Sequence, residues 1–262
     1  MNNPALHRIK WFVSDLLVML ERNIVKYVRL PQLMVFSSIQ PIMFLLLFTY
    51  VFGGAISRGG NYIDYLLPGI LAQTVIFGAM MTGVGLAEDL QKGIIDRFKS
   101  LPMAHSAFLL GRTITDMIRN IFVIFLMLGI GYLIGFRTHT GLSDFFTAVA
   151  LLLFFGFAFS WISATIGMLV KNVETAQVSG FIWIFPLVFA SSIFVPTETM
   201  PDWLRAFADI NPVSAVVNAV RGLMLGNLSD YNLAKNTVLA FVWIVGILTV
   251  FIPLAVRLYR RS

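Results

Sequence analysis

The 262-residue chain has no cysteine. That excludes a disulfide, a thiolate nucleophile and any metal centre with cysteine ligands. Charge is nearly as scarce, at 12% of residues against 58% hydrophobic, and the mean hydropathy is +0.84. So little charge cannot cover a water-soluble domain of this length, and the chain reads as an integral membrane protein. No glycine-rich GxxxxGK stretch followed by Ser or Thr occurs, so the sequence supplies no phosphate cradle. His7, His105 and His139 fall on separate segments without ligand spacing, which leaves metal-assisted chemistry without a site. The first 30 residues have no uninterrupted apolar core, because Arg8, Lys10, Asp15, Glu21, Arg22, Lys26 and Arg29 punctuate them. They do not read as a signal peptide.

What the chain does have is long apolar runs. A spanning helix needs about 20 such residues to cross a hydrocarbon core of about 30 Å. Six segments qualify, at 33–53, 66–87, 112–136, 145–170, 175–197 and 236–256. The expectation is an all-α membrane protein of one domain, 1–262, with six transmembrane helices and no separate soluble module. Residues 210–220 are apolar but too short to cross and are expected to form a partly inserted or surface helix.

The net charge of +6 is informative through its distribution. With the N-terminus inside, Arg8, Lys10, Arg22, Lys26, Arg29, Lys92, Arg97, Lys99, Arg112, Arg119, Lys171, Arg257, Arg260 and Arg261 face the cytoplasm. Only Arg58, Arg137, Arg205, Arg221 and Lys235 face outward. Basic residues concentrate on the cytoplasmic side of membrane proteins, so both termini are placed there and nucleic acid is not the expected partner.

Residues 1–32 are expected to form an interfacial helix. Leu6, Ile9, Val13, Leu16, Leu17, Leu20, Ile24, Tyr27 and Val28 recur at three- and four-residue steps and gather on one face, while the basic residues suit an anionic inner leaflet. Pro31 ends it. It is either a lipid-surface anchor alone or one that also touches a partner.

A second amphipathic piece interrupts the apolar runs, the stretch GIIDRFKSLPMA at 93–104. On a helix, Ile94, Ile95, Phe98 and Leu101 share one side and Lys92, Asp96, Arg97 and Lys99 cover the rest, with Pro102 closing the segment. Amphipathicity alone leaves two readings, a juxtamembrane loop resting on headgroups or a docking element. Nearby, Glu88 and Asp89 could brace the loop by pairing with Arg112 or Arg119, or lie on a proton path; their boundary position favours bracing. Asp116 and Arg119 are spaced to pair as well.

Small-residue steps, Ala79 with Gly83 and Gly131 with Gly135, allow helices to approach closely, within one subunit or across a dimer. Pro186 is expected to kink the fifth span, a feature that can open a cavity in transporters. The outer segment VPTETMPDWLRAFADINP carries Pro196, Pro201 and Pro212 and a headgroup-zone Trp203, with a helix starting near Thr199 or Pro201.

Two blocks give these features a common frame. YLLPGILAQTVIFGAMMTGVGLAEDLQKGIIDRFKSLPMAHSAFLLGRTITDMIRN, at 65–120, and FIWIFPLVFASSIFVPTETMPDWLRAFADINPVSAVVNAVRGL, at 181–223, resemble ABC-2 type transporter permeases of the daunorubicin/doxorubicin-resistance exporter subgroup. The resemblance covers nearly the whole chain. It implies that 93–104 is a cytoplasmic coupling helix seated in a separate ATP-binding subunit, with Gly93, Ile94, Ile95, Arg97, Phe98, Leu101 and Pro102 as its contact residues. It implies that 198–225 forms an extracellular half-helix hairpin between spans five and six, closing the outer mouth around Pro196, Pro201, Trp203, Asn211 and Pro212. ATP and Mg would belong to two copies of that partner, and a second permease, identical or paralogous, would complete the path. The implied activity is ATP-driven export of hydrophobic or amphipathic molecules, drug-like compounds or glycolipids, across a bacterial inner membrane. The alternatives are a stand-alone secondary transporter or channel, which would normally place ionisable residues inside its spans, and a membrane-embedded lipid enzyme.

If the helix docks, burial of an apolar side chain contributes roughly 1.5–3 kcal/mol, and an exposed ion pair about 0.2–1 kcal/mol. Grip is therefore expected from Ile94, Ile95, Phe98 and Leu101, and orientation from the charges.

Overall fold

The computed structural model describes residues 4–29, 31–53, 62–100, 105–170, 172–226 and 232–261, and among these the regular structure is entirely helical. The first helix, α1 (Pro4–Arg29), is the expected amphipathic segment. It lies along α5 (His105–Ile134), where Met19 is buried. Gly111 makes that approach possible, since a Cβ there would stand 2.6 Å from the Met19 Cβ. Val13, Leu17 and Val18 remain exposed, an apolar surface suited to lipid.

The chain then turns into α2 (Pro31–Leu47), followed by a π-helical turn at Phe48–Phe52. Pro41 inside α2 removes the N–H that would bond the Ser37 carbonyl, and π turns accommodate such irregularities. The structural centre is α3 (Tyr62–Gln91), whose residues are mostly buried. It packs most extensively on α6 (Leu142–Leu169) and also on α5, on α7 (Val173–Phe189) and on α9 (Pro212–Leu225). Close approach explains the first of these contacts. A Cβ on Gly83 would strike the Ser163 carbonyl of α6, and one on Gly167 would strike that of Gly83. Gly131 likewise receives Leu67 of α3, so these glycines pack helices together within one chain.

Between α3 and α5 lies the short α4 (Ile94–Lys99), entered through Gly93 at φ +65°, a left-handed turn that glycine adopts without steric cost. On the opposite end of the bundle, α8 (Asp202–Ile210) and α9 form two short helices joined at Asn211. The last helix, α10 (Leu233–Arg261), lies against α6 and α9 and exposes Val238, Phe241, Val242, Val245 and Val250.

Four helices, at Tyr62–Gln91, Ser106–Ile134, Leu142–Leu169 and Leu233–Arg260, are long and apolar enough to cross a membrane. The first and fifth expected segments are shorter apolar helices, Ser37–Phe52 and Val173–Phe189. Helix α7 ends at Phe189 rather than reaching residue 197, because Pro186 stands in its last turn and Ala190 caps it by donating its N–H to the Pro186 carbonyl at 3.0 Å. Pro186 thus stands inside α7, three residues before its end.

Candidate functional site

At the end of the bundle that carries α4, α1, α3 and α5 share a chain of ion pairs. Asp89 meets Arg112 at 3.2 Å and Arg22 at 3.7 Å, and Asp116 meets Arg119 at 3.7 Å and Arg112 at 4.0 Å. Asp116 also accepts hydrogen bonds from Thr82 Oγ1 at 2.5 Å and the Tyr27 hydroxyl at 3.0 Å. Arg119 Nη2 donates to the Gly78 carbonyl at 2.7 Å. Asp116 and Arg119 are both buried, and charges so desolvated persist because each has a partner. Burial, with the neighbouring Asp116 carboxylate, raises the Tyr27 phenol above its ordinary value. Glu88 points elsewhere and pairs with Lys92 at 2.5 Å, one turn along.

A pattern in the sequence underlies this network. Gly78 and Gly85 are seven residues apart on α3, and Arg112 and Arg119 seven apart on α5. The helices run antiparallel, so Gly85 faces Arg112 and Gly78 faces Arg119. A Cβ on Gly78 would lie 2.7 Å from Arg119 Nη2, and one on Gly85 would fall on the Arg112 guanidinium. The spacing was legible, but glycines in apolar runs point first to helix packing; Arg22, Tyr27 and Thr82 carried no such signal.

Two cavities open beside the network. One of about 400 Å³ is bounded by Tyr27, Glu88, Arg112, Asp116 and Arg119, and one of about 240 Å³ by Gln73, Thr74, Phe77, Asn120, Gln177 and Phe181; both share Ser37, Gln40, Met81 and Arg119 as walls. Pro41 lines the smaller. The cavity-associated proline is thus Pro41 of α2, and Pro186 lines neither.

Helix α4 projects from the same end. Ile95 is fully buried in an apolar cluster with Met19, Leu86, Phe108, Trp161 and Tyr259, and Phe98 is partly buried against it. The Phe98 ring lies 5.4 Å from that of Phe108, and Arg22 stands over it at 5.0 Å. Asp96, Arg97 and Ser100 are exposed, with Gly93 and Ile94 half-buried. This corrects the expectation for Ile95, whose side chain anchors α4 to its own bundle and leaves no surface for a partner. Leu101 and Pro102 lie outside the described residues.

At the far end, Pro196 precedes a 3₁₀ turn, Thr197–Thr199, and Pro201 starts α8. Trp203, Phe207 and Ile210 form an exposed apolar stripe along α8. Asn211 fastens the joint between α8 and α9, donating Nδ2 to the carbonyls of Leu187 at 2.8 Å and Ala190 at 2.9 Å and accepting from the Val213 N–H at 2.8 Å. Pro212 then opens the almost wholly buried α9 in the favoured first position. No local motif marks the residue that holds this end. Arg221 of α9 is fully buried, and its Nε donates to the Tyr65 carbonyl at 2.9 Å. Its Nη2 donates to the carbonyls of Ser192 at 2.8 Å and Ile193 at 3.0 Å, and Nη1 to Asn218 Oδ1 at 3.1 Å and Ser192 Oγ at 3.5 Å. The guanidinium also stacks 3.5 Å from the Tyr65 ring. All five N–H donors are used.

A helical chain that crosses the membrane several times, with paired charges at one end and half-helices at the other, is built as a membrane transport component. The sequence profile of the ABC-2 type transporter family matches residues 14–225, and the chain belongs to that family. It is 36% identical over 251 residues to the daunorubicin resistance ABC transporter permease protein DrrB1 of Streptomyces coeruleorubidus, covering 95% of this chain and 87% of the relative. It is 31% identical over 174 residues to the doxorubicin resistance ABC transporter permease protein DrrB of Mycobacterium tuberculosis, 66% of this chain and 60% of that one. The chain is accordingly the permease subunit of an ABC exporter, partnered by an ATP-binding subunit that carries the ATPase activity.

Proposed function

We propose that this permease exports hydrophobic or amphipathic molecules outward from the inner leaflet or cytoplasm, driven by ATP and Mg bound in two copies of a separate P-loop subunit. The observation that carries the coupling part is α4, a short helix rooted through Ile95 and Phe98 and showing Asp96 and Arg97 to solvent. Rooting matters because a peg that moves freely transmits no force. The ATP-binding subunit seats on the face formed by Gly93, Ile94, Arg97 and the open edge of Phe98, with Leu101 and Pro102 continuing that contact. The surplus of Lys and Arg on one side supports cytoplasmic termini, and the six apolar segments and bacterial relatives support six crossings of a bacterial inner membrane. A second permease, identical or paralogous, completes the path. Arg112, Asp116, Arg119 and Asp89 brace the base of α4, and Pro196, Pro201, Trp203, Asn211 and Pro212 shape the outer gate. The drug-resistance names of the relatives support an amphiphilic, drug-like cargo.

The test is co-expression with a P-loop ATPase encoded beside the permease, and vanadate-sensitive uptake of daunorubicin into inverted membrane vesicles. Uptake that persists without ATP on a proton gradient alone contradicts the proposal.

A further inference from the structure

The two cavities between α2, α3 and α5 meet at Ser37, Gln40, Met81 and Arg119 and form one two-lobed slot inside a single subunit. The larger lobe lies within the range of about 300–1,000 Å³ usual for small-molecule sites. The smaller combines aromatic walls, Phe77 and Phe181 with ring centroids 6.1 Å apart, with the amides of Gln73, Asn120 and Gln177. Gln73 is 4% exposed, and its Oε1 is buried with no hydrogen-bond partner. A buried acceptor left unpaired is costly, more so at membrane depth where water is scarce. Pro41 adds a second acceptor at the junction of the lobes, the Ser37 carbonyl deprived of its helical donor. The slot therefore presents polar walls, Arg119 and the amides among them, around a buried acceptor, Gln73 Oε1, that nothing in the chain satisfies.

We propose that this slot binds, within one permease subunit, an amphiphile whose head carries O–H or N–H donors. The head bonds Gln73 Oε1 and the apolar body lies on Phe77 and Phe181. Entry is through the larger lobe, past Arg119 and Gln40. The proposal rests on the export reading for its biological role, while the binding itself requires no ATPase.

The natural absence of cysteine allows a clean test with the purified full-length chain in lipid nanodiscs. Gln40→Cys places a thiol in the slot and Leu133→Cys, at an exposed position of α5, provides the control. N-ethylmaleimide labelling is followed with daunorubicin, whose sugar bears hydroxyl and amine donors, and with its fully acetylated derivative. Daunorubicin is expected to slow labelling of Gln40→Cys roughly tenfold and leave Leu133→Cys unchanged, with little protection from the acetylated compound. Adding Gln73→Leu should weaken daunorubicin protection about 3- to 10-fold, and Gln73→Glu should strengthen it by offering a charged acceptor to the amine. Equal protection by both compounds, no protection by either, or indifference to both Gln73 substitutions overturns the proposal. Loss of ATP-driven export with protection intact contradicts the export reading alone.

Discussion

The two ends of the bundle each bury arginines, and they do so in opposite ways. At the end that carries α4, Arg112 and Arg119 face carboxylates at 3.2–4.0 Å and border a cavity of about 400 Å³. At the opposite end Arg221 is held by the carbonyls of Tyr65, Ser192 and Ile193, which are fixed in the backbone. Carboxylates on side chains can exchange partners as helices shift, and Asp89 is already shared between Arg22 and Arg112. Backbone carbonyls cannot follow in this way. The ion-pair network is thus suited to rearrangement beside α4, whereas Arg221 fastens the short helix α9 to α3 in one arrangement.

The largest expected effect is at the Arg221 clamp. Arg221→Met leaves several buried acceptors unpaired and should cost about 3–5 kcal/mol, the range for breaking a buried charged network, with loss of monodisperse protein in size-exclusion chromatography. Arg221→Lys keeps the charge but not the fork and should recover only part of the loss. Asp116→Asn should cost less, about 1–3 kcal/mol, because Tyr27, Thr82 and the Gly78 carbonyl still hold the site together. Thermal unfolding midpoints of the two variants measure the contrast directly, and equal losses would erase it.

A smaller effect concerns pH. The folded state raises the Tyr27 phenol above its ordinary value of 10.0, so its contribution is fully present below pH 10 and is lost as pH climbs through the folded value. Stability should fall on the alkaline side, and Tyr27→Phe should remove that component while costing about 1 kcal/mol at neutral pH. Unfolding midpoints scanned upward from pH 9 check the sign. The smallest effect is at Arg22, a half-exposed partner of Asp89. Arg22→Ala should cost under about 1 kcal/mol yet speed hydrogen exchange in α4, because Arg22 also covers Phe98 at 5.0 Å.

Much of the α4 end was legible in the sequence, because amphipathic spacing around 93–104 and charges at a span boundary are local signals. Which peg residues face outward was not. Ile94 and Ile95 look alike in the sequence, and only the approach of α1, α5, α6 and α10 decides that Ile95 is enclosed. The end of α7 at Phe189 was hidden for a related reason. A proline marks a break in helical hydrogen bonding, and whether the chain bends or stops there is decided by the residues downstream, here the Ala190 cap and the turn held by Asn211 and Arg221. Arg221 was hidden because its partners are backbone oxygens, which every sequence has.

The central claim is that α4 is a rooted peg on which the ATP-binding subunit pulls. Its most direct measurement is co-purification of that subunit with three full-length variants in detergent. Arg97→Glu, on the exposed face, is expected to reduce recovery of the ATPase subunit at least fivefold while the permease keeps its wild-type unfolding midpoint. Ile95→Ala is expected to lower that midpoint, by about 2–5 kcal/mol in stability terms, and Lys92→Ala to change neither. Full recovery of the ATPase subunit with Arg97→Glu, together with an unchanged midpoint for Ile95→Ala, would contradict the account.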